Sequence, residues 1–459
     1  MLIVGGGAAG ALTAIHLLAS TTDPIDLVLV DPAEVPGRGT AFSTEDSLHL
    51  LNVPASGMTA LPDDPGHFVR WRALTTGTAE QPYEFVPRGV WGRYLSQTLR
   101  DELSAAGSRA TLTHVRRRAR AVDVSGAGVR LTLDDGETLA GDALVIGTGL
   151  PAPSVAWAPE AMQASDRFVA DPWSPGALDR VTAERCGDVL VVGTGLTMVD
   201  VASTVAAEAC HDRLVHAISR SGRLPHRHAP EAVDPAVPDV TDWGHDLTSI
   251  VDRTREHLRD AEAATGDWRS GVDGLRHRVQ DLWGRLSEDD RREFLRSHAG
   301  EWNRVRHRIP APSAERIAEL RRQGRLTIGA ARVTETRALP RGLRVWLSDG
   351  TVRDVAWVVN ATGPDSDVRR SGDPLVADLL RPRDGGALAV CATAGMGFRT
   401  RDGRLLDSRG HAPAPIWVLG ALRRGELWES TAVPEIRVQA AAIAREVASG
   451  ASTLSRSAV

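Results

Sequence analysis

The amino-acid sequence predicts an α/β protein built from two parallel-sheet units in series. Three observations carry this prediction: an internal repeat in the order of features, a glycine-rich strand-to-helix turn opening each half, and a common ending in which an LxDG turn precedes an apolar strand and a terminal TG. The first half runs from Leu2 to Gly149, opening on LIV and GGGAAG and closing on VRLTLDDGETLAGDALVIGTG. The second runs from Asp188 to Gly363, opening on DVLVVGTGLTMVD and closing on LRVWLSDGTVRDVAWVVNATG.

In the first half, Gly5, Gly7 and Gly10 form a GxGxxG between a short apolar strand and the helical pattern AALTAIHLLA. The first glycine allows the tight turn, the second lets backbone approach a pyrophosphate, and the third lets the helix sit against the strand. The amides of Ala8 and Ala9, in the first turn, then face the phosphates. Asp31 ends the next strand 21 residues after Gly10, where a carboxylate takes the hydroxyls of an adenosine ribose. Together these features predict a Rossmann-like unit for a dinucleotide.

In the second half, Gly193, Thr194 and Gly195 follow an apolar strand, and Met198 stands where a third glycine would complete the motif. The following strand ends in Ser219 and Arg220 instead of an acid, and a guanidinium at that place suits a 2′-phosphate, which predicts NADPH over NADH; a solvated surface arginine is the alternative. A Pro-, Trp- and Ala-rich linker from Leu150 to Cys186 joins the halves.

Residues from about 224 to 323 interrupt the second half. They begin in a proline-rich loop and turn helical, with Leu247, Ile250, Val251, Thr254 and Leu258 at helical spacing and then Val272, Leu275, Val279, Leu282 and Leu286. Ser287 with Asp290 predicts a capped third helix, and Ser313 caps a fourth. Trp268, Trp283 and Trp302 read as packing within this cover. The closing segment STAVPEIRVQAAAIAREVASG predicts a final helix capped by Ser430 or Thr431, with Pro434 in its first turn and Gly450 beyond its end.

Composition narrows the chemistry. The 459 residues are 42% apolar and 25% charged, and 54 basic against 59 acidic side chains leave a net charge of −5, which argues against nucleic-acid binding. Every basic residue is an arginine, so a Schiff-base lysine and a P-loop lysine are both excluded. Cys186, Cys210 and Cys391 form no CxxC pair, which argues against a zinc site, a disulfide scaffold and a dithiol centre and suggests a reducing, cytoplasmic setting. No metal site is expected from His226 and His228. The opening segment lacks a basic start and carries four glycines, so it reads as strand, turn and helix instead of a signal peptide, and no long apolar run calls for a membrane.

These motifs, with the GTG at Gly147 to Gly149 and the NATG at Asn360 to Gly363, resemble the flavoproteins with two dinucleotide-binding domains, particularly flavin-dependent monooxygenases using FAD and NADPH. The run GRGTAFSTEDSLHLLNVPASGMTALPDDPGHFVRW, with SRSGRLPHRH, RHRIPAP and GALRRGELWESTAVPEIRVQA, resembles a bacterial FAD/NAD(P)-binding family that includes N-oxygenases converting aspartate to nitrosuccinate. The resemblance covers nearly the whole chain. It implies an FAD domain over residues 1–170 completed by 364–459, and an NADPH domain over 186–363 carrying the insertion.

It also implies site residues. Asn52 resembles the asparagine beside the reactive flavin face, where its amide acts in catalysis; the alternative is a turn cap before Pro54. Val53, Thr148, Gly149, Thr362, Gly363 and Gly420 would line the cofactors, and Arg38 would reach the FAD pyrophosphate or adenine unless it is a plain loop arginine. Pro434, Glu435 and Ile436 would begin the helix whose positive end faces the flavin pyrimidine, or else a packing helix. Arg304, Arg306 and Arg308 are candidates for an acidic substrate or the NADPH phosphates, against the alternative of a solvated charged face. The implied reaction is NADPH-driven reduction of FAD, capture of dioxygen as a flavin hydroperoxide, and oxygenation of the nitrogen of an amine or amino acid, L-aspartate being the family's precedent. Two other readings use the same motifs: an NADPH-dependent reductase passing electrons to a protein or quinone, and a non-catalytic redox sensor.

Overall fold

The computed structural model describes residues 1–126, 128–207, 210 and 212–456. Two sheets organise it. The first has seven strands in the order Thr400–Arg401, Arg404–Leu405, Ile416–Val418, Leu144–Ile146, Leu2–Val4, Ile25–Val30 and Ala110–Val115. Its last five strands are mutually parallel, with Leu2 opposite Val28 on one side and Leu144 on the other, and Leu144 opposite Ile416. Strands buried on both faces read as unbroken apolar runs, which is why LIV and LVI sit at the centre. Helices Ala8–Ser20, Arg88–Ala106 and Val433–Arg456 cover one face through Leu12, Ile15, Trp91, Ile436, Ala440 and Ile443. The other face packs on an antiparallel three-stranded sheet (Ala119–Ser125, Gly128–Leu133, Thr138–Gly141) and helix Pro374–Leu380.

The second sheet has five parallel strands, Leu326–Ala330, Val215–Ser219, Val189–Val192, Trp357–Asn360 and Phe168–Val169, again with a three-stranded antiparallel sheet (Val333–Leu339, Gly342–Leu347, Val352–Val355) against one face. The two units are Rossmann-like, and the repeat extends to the LxDG turns, where Gly136 and Gly350 take φ of 88° and 85°. The 151–185 segment is more than a linker. Its Phe168–Val169 is the edge strand of the second sheet, and helix Ala177–Ala183 enters the second core. Across the joint, His49 Nε2 lies 2.8 Å from Thr204 Oγ1, and the Arg88 guanidinium pairs with Asp200 at 2.8 Å while lying over Trp173.

The insertion forms helix Leu247–Thr265, then Arg269–Leu275, Val279–Arg285, Glu288–Ser297 and Ala299–Arg306. Ser287 caps the fourth of these through the Asp290 amide at 3.1 Å. Three expectations need correction. The second periodic run is two short helices rather than one, because Arg276 to Arg278 leave the helix. Ser313 is buried inside helix Ala311–Arg322, whose cap is Pro310. The final helix continues past Gly450, and Ser430 bonds the Gly420 carbonyl at 2.9 Å instead of capping it. Trp283 and Trp428 stack at 5.1 Å, and with Met396 they seat the insertion on the C-terminal segment. Among the described residues no helix is long and apolar enough to cross a membrane.

Candidate functional site

The carboxyl ends of the first sheet converge on glycines. Gly5 takes φ of 95°, and a Cβ there would lie 2.5 Å from the Gly147 carbonyl oxygen; a Cβ on Gly10 would lie 1.8 Å from the Gly5 oxygen. Strand end, turn and helix are therefore pressed together with no room for a side chain. Gly7 differs, because its Cβ would meet only the Gly39 backbone, with Cα the nearest atom at 3.4 Å. Helix Ala8–Ser20 starts at Gly7 with no side-chain cap and no acid in its first turn, so its leading amides have no side-chain acceptor among the described residues. That donor set fits a pyrophosphate. Asp31 closes the turn by accepting from Gly6 N at 2.6 Å and from Ala33 N at 2.7 Å, and each carboxylate oxygen retains a lone pair for a ribose hydroxyl.

Gly147, Gly420 and the final helix complete this rim. Gly147 approaches Ala9 and Leu419, while Gly420 takes φ of 68°, accepts Ser430 Oγ, donates to Gln439 Oε1 at 3.0 Å and packs near Ile436. Thr148 and Gly149 follow at the open end of strand Leu144–Ile146. In the helix's first turn, the Glu435 carboxylate is drawn aside by Arg276, whose Nε donates at 2.8 Å. Arg437 donates to the carbonyls of Gly57 and Thr59 at 3.1 and 3.0 Å, tying the 52–60 segment to the helix. Asn52 sits at that seam. Its carbonyl accepts His228 Nε2 at 3.0 Å from the loop entering the insertion, whereas its amide group makes no hydrogen bond within the described residues. Val53 packs against Gly57, and Arg38 is occupied by Glu45 at 2.7 Å.

The second motif is tighter. Gly193 takes φ of 122°, with a Cβ position 2.1 Å from the Ala361 oxygen, while Gly195 opens onto free space and Met198 is buried. Thr194 Oγ1 bonds Ser219 Oγ at 2.8 Å and the Arg223 carbonyl at 2.7 Å. Arg220 is exposed at the strand end. Thr362 bonds Asn360 Oδ1 at 2.7 Å, and Gly363 follows with φ of 83°.

The three candidate substrate arginines are each already engaged. Arg304 pairs with Glu301, Arg306 donates from Nε to Glu429 at 2.9 Å, and Arg308 pairs with Asp273. Arg306 and Arg308 are buried rather than on a solvated face. Sequence reasoning missed Glu429, which stands at φ of 68° and is also bonded by Trp302 Nε1 at 2.8 Å. It also missed Arg276 and Arg437, since nothing local marks one arginine among 54. Around this seam Arg276, Arg306, Arg308, Arg424 and Arg437 outnumber Asp273, Glu429 and Glu435, and the guanidinium groups hold the Glu429 carboxyl below the usual carboxylate range although burial opposes this.

His16, His49 and His228 are buried, and burial above all depresses their pKa values to about 4, about 4 and about 3, with the Arg88 and Arg308 guanidiniums adding to it at His49 and His228. An unfolded histidine titrates near 6.5, so these groups stay neutral in the folded state while the unfolded chain gains protons. Stability is then full above about pH 6.5 and is lost as pH falls toward 4. His307 is depressed to about 4 in the same way, whereas burial raises Asp200 to about 7 and acts in the opposite sense, so we expect urea denaturation to lose on the order of 5 kcal/mol between pH 6.5 and 4.5, with His16→Leu removing about 2 kcal/mol of that loss.

Residues 2–151 match the family described as FAD-NAD(P)-binding. The first unit contains an FAD/NAD(P)-binding domain. No curated protein sequence matches the chain. Among solved structures, the ornithine N-hydroxylase of Kutzneria sp. 744, described with reduced FAD, NADP+ and L-ornithine, shares 16% identity over 97% of this chain and 98% of its own, with a TM-score of 0.63. The L-lysine 6-monooxygenase of Pseudomonas syringae shares 17% over 97% and 99%, with a TM-score of 0.60. The FAD-bound cadaverine monooxygenase of the Erwinia amylovora desferrioxamine pathway shares 14% over 97% and 94%, also at 0.60. The likeness is one of fold, and its coverage takes in both sheets and the insertion.

Proposed function

We propose that the protein is an FAD- and NADPH-dependent monooxygenase that oxygenates the nitrogen of a small amine or amino acid. The observation that carries this reading is the seam at Asn52, where the first sheet's glycine rim, the start of the final helix and the cover formed by the insertion meet. The full-length fold likeness to amine and amino-acid N-hydroxylases supports the same reaction class.

In this reading FAD lies on residues 1–170 completed by 364–459, and NADPH on 186–363. Bound FAD would accept hydride from NADPH and, once reduced, transfer an oxygen atom from dioxygen to a nucleophilic nitrogen. The chain's own residues do the rest. Gly7, Ala8 and Ala9 present uncapped amides to the pyrophosphate, and Asp31 presents its carboxylate to the ribose. Asn52 offers a donor and an acceptor on an amide that no group among the described residues uses, held in place because His228 grips its carbonyl. Arg276 keeps Glu435 from capping the final helix with its charge, so the helix's positive end stays directed outward. The Trp283–Trp428 stack and Met396 exclude water from the cover. The surplus of guanidinium groups favours a substrate bearing a carboxylate, with L-aspartate the candidate of first choice.

The reading is tested by following NADPH oxidation by the FAD-loaded protein with and without a panel of amino acids and diamines. Consumption that one amine accelerates supports it; consumption that only a quinone or protein acceptor accelerates points to a reductase, and none at all to a sensor. Within the same assay, Arg220→Ala is expected to raise KM for NADPH at least about 10-fold, the worth of a charge-assisted hydrogen bond, with KM for NADH unchanged. Equal changes for both nucleotides would show that Arg220 does not read the 2′-phosphate.

A further inference from the structure

Cys186 and Cys210 are distant in sequence, and the fold sets them across one backbone hydrogen bond, in which the Cys210 amide donates to the Arg185 carbonyl at 3.1 Å. Such a contact brings neighbouring Cα atoms into the range of about 4.4–6.8 Å that a disulfide spans. The two thiols lie close enough for each to shift the other's titration, Cys186 upward and Cys210 downward. Buried Arg213 holds the arrangement rigid. Its guanidinium donates to the carbonyls of Val181 at 3.0 Å, Cys186 at 3.1 Å and Gly187 at 2.8 Å, while its own amide donates to the Cys210 carbonyl at 3.2 Å. Neither sulfur is sealed off, since Cys186 is exposed and Cys210 half-buried.

We propose that Cys186 and Cys210 form a reversible dithiol–disulfide site oxidised by hydrogen peroxide. Cys210 is the attacking sulfur, because its interaction with Cys186 and the nearby backbone of Asp212 hold its pKa below the ordinary thiol value. Its thiolate displaces one oxygen of the peroxide, which leaves as hydroxide and takes up a proton to become water, and a sulfur–oxygen bond forms. Cys186 then attacks that sulfenic acid, the sulfur–sulfur bond forms, and the hydroxyl leaves as a second water. Two thiols are oxidised to one disulfide while one peroxide is reduced to two waters, and an added dithiol reverses the change. The disulfide would tie the chain just beyond helix Leu196–Ala207, the helix that begins at Gly195, to the start of strand Val189–Val192. Cys391 serves as an internal control, because burial raises its thiol and no other cysteine contacts it.

The test exposes the reduced full-length protein to hydrogen peroxide under native conditions, removes the oxidant, and alkylates with N-ethylmaleimide in denaturant before mass spectrometry. One alkyl group, on Cys391, and a cross-linked peptide joining Cys186 to Cys210 are expected, with dithiothreitol restoring all three thiols. Cys186→Ser should halt oxidation at a Cys210 sulfenic acid that dimedone traps, and Cys210→Ser should leave Cys186 alkylatable. Three alkyl groups after peroxide, loss of Cys391 as fast as of the other two, or links only between separate chains would each overturn the proposal.

Discussion

Gly7→Val yields a folded protein that does not retain FAD. Gly7 has φ of −71°, which valine accepts, and a Cβ there meets only the Gly39 backbone, no nearer than 3.4 Å, an ordinary contact. The branched side chain nevertheless occupies the space in front of the uncapped first-turn amides, where a pyrophosphate must approach. Losing two or more charge-assisted hydrogen bonds of about 1.5–3 kcal/mol each should weaken FAD by at least 100-fold, to a flavin content below about a tenth after purification. Flavin absorbance measures the loss, and far-ultraviolet circular dichroism confirms the fold. Gly10→Ala separates the two effects: its Cβ would lie 1.8 Å from the Gly5 oxygen, so that variant should lose the fold itself. Full flavin retention by Gly7→Val would remove the pyrophosphate from this helix.

Glu429→Gln is expected to cost about 3–5 kcal/mol of stability in urea denaturation, because it leaves Arg306 buried without a counter-charge. The backbone supplies a check. Glu429 stands at φ of 68°, so Glu429→Gly relieves about 1–2 kcal/mol of left-handed strain, yet the lost ion pair is larger and that variant should also be destabilised. Combining Glu429→Gln with Arg306→Met removes both charges and should recover much of the loss. A single variant as stable as the parent would show that the insertion is not held to the C-terminal segment by this pair.

What the sequence made legible was what local pattern encodes. The two apolar strands opening on Gly5 and Gly193, the paired LxDG turns and the Ser287 cap all rest on neighbours within a few residues, and the structure forms each of them. Where tertiary contact competes with local preference, the pattern misled. Ser313 and Ser430 are good caps by type, but one is buried within its helix and the other is claimed by the Gly420 carbonyl. The Pro- and Trp-rich stretch after Leu150 has little strand character, yet Phe168 finds a register beside Val358 on the second sheet. The seam around Asn52 was half visible: Asn52 and the start of the final helix carry recognisable segments, whereas Glu429, Arg276 and Arg437 acquire meaning only from partners far along the chain. The contact between Cys186 and Cys210 is of the same kind, since spacing gives no sign of a pair that a backbone bond at Arg185 creates.

The measurement that bears most directly on the proposed activity supplies the FAD-loaded protein with NADPH, 18O-labelled dioxygen and, in turn, L-aspartate, other amino acids and diamines, followed by mass spectrometry of the products. The account predicts that one amine yields an N-oxygenated product carrying oxygen from dioxygen, formed in step with NADPH oxidation. Products without the label, or NADPH oxidised with every amine recovered unchanged, would contradict it.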